Sequence, residues 1–288
     1  MTSRWLRYAL LTTVMWGVWG AFSSLPSEHG FPDTLTYVVW SLTMIAPALY
    51  VLARAKSRLQ HDPRSLLVGL AIGLLGAGGQ MLLFRALTVG PTYLIFPIVS
   101  LSPVVTILLS LLLLRERTGT LGWAGIVLAV ISLPLFDYSP DSSTGHYGAW
   151  FMLALAVMFA WGLQAYFIKL ANRSMSAESI FTYMMLTGLA FIPVALVLTD
   201  FSRPINLGLT GPWLAAAVQM LNAIGALLLV YAFRYGKAIV VSPLVNAAAP
   251  LLTALIALAV AGTLPGPYRV AGIALALTGA LLLSLQPE

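Results

Sequence analysis

The chain contains no cysteine, which excludes disulfide bonds, thiolate metal sites and cysteine nucleophiles. Charged residues are also scarce: they make up 8% of the 288 residues, against roughly 25% in ordinary soluble domains. Hydrophobic residues account for 60%. A soluble protein with so little charge could not cover its surface, so we expect the lipid bilayer to be the solvent of this chain.

Ionisable residues are missing from the apolar runs as well. All nine acidic residues and all three histidines fall in connecting segments or at the ends of the runs. Because ionisable residues inside a membrane mark proton relays, we expect no coupling of transport to a membrane-embedded carboxylate. The absence also argues against an intramembrane metalloprotease, which needs His and Glu ligands at depth, and against a Ser-His protease. The sequence predicts no enzymatic activity, no cofactor and no metal site.

Ten segments of the chain are long and apolar enough for a membrane-spanning helix, which needs about 20 such residues. The connections between them are short, so no soluble domain is inserted. The sequence therefore predicts an all-α integral membrane protein with ten transmembrane helices. The predicted segments are 6–25, 34–53, 66–88, 91–114, 120–137, 147–170, 178–199, 212–234, 238–261 and 268–286.

The basic residues lie unevenly between the ends of these segments. If the N-terminus is cytoplasmic, twelve of the 15 Lys and Arg residues are cytoplasmic, and only Arg85, Arg203 and Arg269 lie outside. Such a bias sets membrane orientation and predicts that both termini are cytoplasmic. It also accounts for the net charge of +6 without a nucleic-acid partner. We expect a multi-pass protein of a cell membrane, specifically the bacterial inner membrane.

The two halves of the chain resemble each other. Glycine and proline recur at similar spacing in both halves, and chance similarity between apolar segments is the alternative. The repeat predicts two five-helix halves, residues 1–143 and 144–288. Because five is odd, the second half enters the membrane inverted, as in many transporters. The matching positions are Gly90 with Gly236, Pro97 with Pro243, P-V-V-T at 103–106 with P-L-L-T at 250–253, and M-W-G-V-W-G-A-F at 15–22 with A-W-G-L-Q-A-Y-F at 160–167.

Prolines interrupt the fourth and ninth segments at corresponding depths. Proline in a helix interior costs about 3 kcal/mol, although neighbouring helices can pair the freed carbonyl groups in a membrane. We interpret Pro97, Pro103, Pro243 and Pro250 as gating hinges of two moving helices that line a cavity. The glycines of the third segment, with G-A-G-G at 76–79, fit either close helix packing or local unwinding.

The polar residues deep in the segments are neutral. An amide or hydroxyl there can hydrogen-bond a substrate, or it can hold two helices together. We predict that residues of this set bind substrate. Its members are Gln80, Tyr93, Ser100, Gln164, Asn222 and Asn246.

Four tryptophans, Trp16, Trp19, Trp40 and Trp161, lie away from the helix ends where interfacial tryptophans are usual. They fit either packing against lipid or the wall of an aromatic cavity that stacks a planar or amphipathic substrate, and we predict the second. Arg85 lies near the outer end of the third segment. Snorkelling to the headgroups is the ordinary role of such an arginine, and the functional hypothesis is an outer gate.

Several short motifs resemble those of the drug/metabolite transporter superfamily, in its ten-helix EamA-like branch. They are A-L-T-V-G at 86–90, A-F-R-Y-G at 232–236, L-L-L-R-E-R at 112–117 and A-G-I at 124–126 and 271–273, together with the two proline-bearing segments. The resemblance implies transport of small organic metabolites, in many members by export. One departure is Thr263, which stands where the family often repeats the acidic residue found here as Glu116.

These observations lead to one main hypothesis and one alternative. The main hypothesis is a secondary transporter or facilitator of neutral or zwitterionic metabolites such as amino acids, which exports them by alternating access around a midplane cavity. The alternative is a membrane assembly or sensor protein that transports nothing. We expect a small-molecule substrate and the lipid bilayer as partners, and a monomer or homodimer.

Overall fold

The computed structural model describes residues 4–55, 59–113, 119–137, 148–236, 238–262 and 266–284. Within these ranges the chain is helical and contains no strand. Backbone groups cannot hydrogen-bond to lipid, and a helix pairs them within one segment. The predicted boundary between residues 143 and 144, both chain termini, Glu116 and Thr263 lie outside the described residues.

Fourteen helices follow one another along the described chain, and a π-helical turn, Leu209–Trp213, leads into the twelfth. Their bounds are α1 Arg4–Phe22, α2 Leu25–Glu28, α3 Asp33–Thr43, α4 Ile45–Ala55, α5 Pro63–Val89, α6 Thr92–Val99, α7 Ser102–Leu113, α8 Thr120–Asp137, α9 Ala149–Ala171, α10 Ala177–Ala190, α11 Ile192–Val197, α12 Leu214–Tyr235, α13 Ala238–Ala261 and α14 Pro267–Ser284.

Six helical spans of the described chain are long and apolar enough to cross a membrane, so the chain is a multi-pass membrane protein. The helices lie in the places of the ten predicted segments, and crossing by the other four stays a prediction. The six spans are Asp33–Arg54, Pro63–Val89, Thr92–Leu109, Ala149–Ala171, Ala177–Val197 and Leu209–Tyr235.

Three of the predicted segments are each divided into two helices at one or two residues where the α-helical hydrogen-bond pattern is interrupted. Each break is followed by a proline at the second or third position of the next helix. Proline has no amide hydrogen to continue the preceding helix, and the first turn of a new helix is where it costs least. The breaks lie at Met44, before Pro47 of α4; at residues 100–101, before Pro103 of α7; and at Phe191, before Pro193 of α11.

Related contacts join the two halves at opposite ends of the helices. At one end, Nε2 of Gln60 donates to the carbonyl oxygen of Ser174 at 3.1 Å. At the other, Nδ2 of Asn206 donates to the carbonyl oxygen of His29 at 2.9 Å. Gln60 corresponds to Asn206 in the repeat, and His29 corresponds to Ser174. We call these contacts the Gln60 clasp and the Asn206 clasp.

Two threonines make a second reciprocal pair of contacts between the halves. Oγ1 of Thr106 donates to the carbonyl oxygen of Gly162 at 2.8 Å, and Oγ1 of Thr253 donates to that of Gly17 at 3.0 Å. These threonines end the matching P-V-V-T and P-L-L-T motifs. A pseudo-two-fold relation between two halves produces such exchanged contacts.

The fourth segment is buried in the apolar core. Leu94, Ile95 and Ile98 of α6 and Leu101 after it are almost fully buried. The ring of Phe96 meets that of Trp19 edge to face, with 5.8 Å between their centroids. This packing fixes α6 against α1 and so positions one wall of the site described next.

Candidate functional site

A cavity of about 60 Å³ lies between helices of both halves. One water needs roughly 10–15 Å³, so this space holds about four; ligand pockets usually measure about 300–1,000 Å³. A metabolite therefore enters only if the walls separate. The residues that line the cavity are Trp16, Trp19, Trp40, Met44, Gly73, Gly76, Ala77, Gln80, Trp161, Gln164, Ala165, Ile168, Met184, Asn222, Ala226, Leu229, Val230 and Asn246.

The cavity-lining tryptophans of the first half are held by polar groups of α12. Nε1 of Trp19 donates to Oε1 of Gln219 at 2.9 Å. Nε1 of Trp40 donates to Oδ1 of Asn222 at 2.7 Å, and Nε1 of Trp16 donates to the carbonyl oxygen of Asn222 at 3.2 Å. Because these three N–H groups are satisfied, the rings offer the cavity apolar surface.

Glycines allow the deep tryptophans to approach the facing helices. A Cβ atom at Gly79 would lie 2.6 Å from Nε1 of Trp161, and one at Gly225 would lie 2.5 Å from Nε1 of Trp16. Any side chain larger than hydrogen would displace an indole ring at either position. These two pairs are also related by the repeat. α5 is one unbroken helix through G-A-G-G, so the motif is not unwound, and Gly76 and Gly79 serve close packing.

Amide side chains supply the polar part of the wall. Nε2 of Gln164 donates to the carbonyl oxygen of Ile72 at 3.1 Å. Gln80 is 2% exposed, and its Nε2 atom is buried without a hydrogen-bond partner among the described residues. Asn222 and Asn246 complete the set. None of the described residues that line the cavity is charged.

Eight of the ten predicted substrate-binding residues line this cavity: Trp16, Trp19, Trp40, Gln80, Trp161, Gln164, Asn222 and Asn246. Tyr93 and Ser100 do not lie among its lining residues. Ser100 is fully buried, and its hydroxyl donates to the carbonyl oxygen of Pro97 at the break between α6 and α7. Tyr93 packs against the apolar core. Local hydrogen bonding and packing therefore occupy these two side chains.

The predicted hinge prolines lie in different surroundings. Pro97 is buried inside α6 and Pro103 begins α7. α13 runs through positions 243 and 250 as one helix, and a hinge at Pro243 and Pro250 stays a prediction. The side chains of Pro243 and Pro250 lie outside the described ones.

Gln219 and Gly225 belong to the site but are absent from the predicted set. Gln219 is fully buried and holds the indole of Trp19 from 200 positions along the chain. No local pattern pairs residues so far apart. Gly225 could have been found from the repeat, because it corresponds to Gly79, just as Trp16 corresponds to Trp161.

Arg85 lies at a vestibule beyond one end of the cavity. It lines two adjoining spaces of about 460 and 420 Å³, and Asp33 lines both with it. Arg85 forms no ion pair with any described residue. By contrast, Nε of Arg203 lies 3.0 Å from Oδ2 of Asp200. Hydrogen bonds from Ser202, and then the nearby charge of Arg203, hold the pKa of Asp200 below its usual range.

Tyrosines cluster at the opposite end of the helices. Tyr8 stacks on Tyr231 and Tyr235, with ring centroids 5.5 and 5.9 Å away. Oη of Tyr231 donates to Oε1 of Glu178 at 2.8 Å. Aromatic and hydrogen-bonding contacts thus link α1, α10 and α12 on the side opposite the vestibule.

The sequence pattern of the EamA-like transporter family matches residues 3–136 and again residues 148–285. An uncharacterized protein of Methanocaldococcus jannaschii is 28% identical over 130 residues, which cover 45% of this chain and 93% of that protein. One half of this chain therefore has about the length of that whole relative. A crystal structure of a protein with 21% identity aligns over 97% of this chain and 96% of its own, with a TM-score of 0.68, which is a likeness of fold.

Proposed function

The chain belongs to the EamA-like transporter family, within the drug/metabolite transporter superfamily, and we propose that it moves small organic metabolites as a secondary transporter or facilitator. Neutral or zwitterionic solutes such as amino acids are the proposed substrates, and export is the proposed direction. The observation that carries this proposal is the uncharged, aromatic cavity between the two halves.

The proposed mechanism is alternating access between the two halves. The Gln60 clasp and the Asn206 clasp are both formed, and the cavity is too small for a metabolite, so we assign the described arrangement to an occluded state. Opening toward one side breaks one clasp while the other holds. Inverted halves give two such states of similar energy, because the contacts at the two ends correspond.

The proposed topology follows the sequence predictions. Ten helices cross the membrane as two inverted five-helix repeats, both termini are cytoplasmic, and the vestibule of Arg85 opens outward. The bacterial inner membrane is the proposed location and a monomer or homodimer the proposed assembly. We assign no carboxylate to ion coupling, because the described cavity wall is neutral, and facilitated diffusion or exchange fits such a wall.

Arg85 is the proposed outer gate. It shares its vestibule with Asp33 and has no ion-pair partner among the described residues. As the vestibule narrows, its guanidinium would pair with the Asp33 carboxylate and seal the outer side. The single variants Arg85→Gln and Asp33→Asn should then let solute cross the membrane without control to the same extent. The exchange Arg85→Asp with Asp33→Arg should restore closure of the outer side. Arg203→Gln, which breaks only a local pair, is the control.

The transport proposal is tested with purified protein in liposomes and a panel of labelled amino acids, nucleobases and sugars, with and without a pH gradient. We expect flux of at least one solute class, little affected by the gradient. Ala226→Phe, which fills the cavity, should abolish that flux, whereas Ala274→Phe on an exposed position of α14 should not. No flux for any class would favour an assembly or sensor protein, and equal flux in both variants would remove the cavity from the mechanism.

A further inference from the structure

The side chains that line the central cavity restrict the chemical class of the substrate that it can bind. It combines four indole rings with the carboxamides of Gln80, Gln164, Asn222 and Asn246, and no described lining residue carries a charge. Carboxamides bind groups that are polar but uncharged through paired donors and acceptors. Indole rings stack on planar groups.

Gln80 identifies the hydrogen bond that the substrate must complete. Its side chain is 2% exposed, lines the cavity, and leaves Nε2 without a partner. A buried donor without an acceptor among the described residues is costly, so a solute that enters as the walls separate and presents a carbonyl or ring nitrogen to Nε2 relieves this cost. The indole N–H groups of Trp16, Trp19 and Trp40 cannot replace it, because they already donate to α12.

A charged solute would find no compensation in the described wall. Taking an ionised group out of water is costly unless it is paired, and no lining side chain is an ion. The helix break at Met44 lies beside the cavity, and the two carbonyl oxygens at that break already accept hydrogen bonds. The Trp40 oxygen accepts from Oγ1 of Thr43 at 2.7 Å, and the Met44 oxygen accepts from the amide of Ala48 at 3.1 Å. Both ends of a zwitterion would therefore lie unpaired.

We infer that the cavity selects uncharged, planar heteroaromatic solutes with an amide-like acceptor, such as nitrogen heterocycles bearing a carboxamide or ring carbonyl, over carboxylates, ammonium ions and zwitterions. This inference rests on the proposed function and narrows its substrate class to the neutral solutes, so that zwitterionic amino acids are excluded. Gln80 is its specificity-determining residue, and the tryptophans supply the stacking surface.

Isosteric ligands test the inference directly. Purified protein is titrated with nicotinamide, nicotinate, 3-picolylamine and phenylalanine at neutral pH, with quenching of tryptophan fluorescence as the binding readout and counterflow in liposomes as the second. Nicotinamide should bind at least about tenfold more tightly than the other three, the scale of one buried hydrogen bond. Gln80→Met should lose about tenfold for nicotinamide and less for nicotinate.

Two further variants separate specificity from folding. Asn172→Ala removes another side chain with a buried unpaired atom, outside the cavity, and should leave nicotinamide binding unchanged. Gln80→Glu should shift preference toward 3-picolylamine. Binding of nicotinate, 3-picolylamine or phenylalanine as tight as that of nicotinamide overturns the inference, and so does a Gln80→Met variant with wild-type binding. If none of the four binds while the liposome panel shows flux of another class, the inference fails and the transport proposal stands.

Discussion

Helices α6 and α7 occupy the place in the first half that α13 occupies in the second, but the first path is broken and the second is continuous. Six positions separate Pro97 from Pro103, whereas seven separate Pro243 from Pro250. Seven residues are close to two helical turns, whereas six residues fall short of two turns by about a third of a turn. The two halves thus share a pair of prolines, but the helix is interrupted in the first half and continuous in the second.

The fourth and ninth segments also differ in the atoms that approach the facing glycines of the other half. Oγ1 of Thr106 and Oγ1 of Thr253 make matching hydrogen bonds to glycine carbonyls. Yet a Cβ at Gly162 would lie 2.6 Å from the backbone oxygen of Ser102, whereas one at Gly17 would meet the side chain of Leu252. A side chain can move aside more easily than a backbone. The fourth segment is therefore rigidly seated near its break, and the ninth has more tolerance.

The largest expected effect follows from the difference between the contacts at Gly162 and those at Gly17. Gly162→Ala should lower the free energy of unfolding by about 1–3 kcal/mol, the usual cost of overpacking a core. Gly17→Ala should cost somewhat less, because a change of rotamer can move Cδ2 and Cγ of Leu252 and leaves only its Cβ at 2.8 Å, whereas a backbone oxygen and Cβ of Val105 both lie at 2.6 Å from the new methyl group at Gly162. Unfolding of both variants in detergent measures the contrast. Equal losses would show that the two interfaces are equally rigid.

A smaller effect is expected on transport from the prolines. Pro103→Ala should allow α6 and α7 to join and should lower flux about tenfold, which corresponds to about 1.4 kcal/mol on the barrier. Pro250→Ala, within a helix that is already continuous, should change flux less than about twofold. Flux measured in liposomes at equal protein density decides. Unchanged flux in Pro103→Ala would leave the break as a packing feature without a gating role.

The smallest effect should be the same in both halves. Thr106→Val and Thr253→Val each remove one hydrogen bond between helices, worth about 0.6 kcal/mol on average in a membrane. The two variants should lose equal stability, since the contacts correspond. A loss of stability in only one variant would mean that the two corresponding hydrogen bonds do not contribute equally to the free energy of unfolding.

Hydrophobic segments, the repeat and the tryptophan and amide side chains of the cavity wall could be predicted from the sequence, because membrane helices follow from apolar length and deep polar residues tend to face inward. The hydrogen-bond partners of those side chains could not be predicted. The contact of Trp19 with Gln219, like that of Trp40 with Asn222, joins distant parts of the chain. The breaks at Met44 and Phe191 also escaped prediction, because a proline's effect depends on its spacing and neighbours.

The most direct test of alternating access uses the absence of cysteine in this chain. One double variant, Gln60→Cys with Ser174→Cys, locks the Gln60 clasp through a short thiol cross-linker; another, His29→Cys with Asn206→Cys, locks the Asn206 clasp. Each lock alone should abolish flux in liposomes, and cleavage of the cross-link by a reductant should restore it, because every transport cycle must open both ends in turn. Full flux with either clasp locked would contradict alternating access between the two halves.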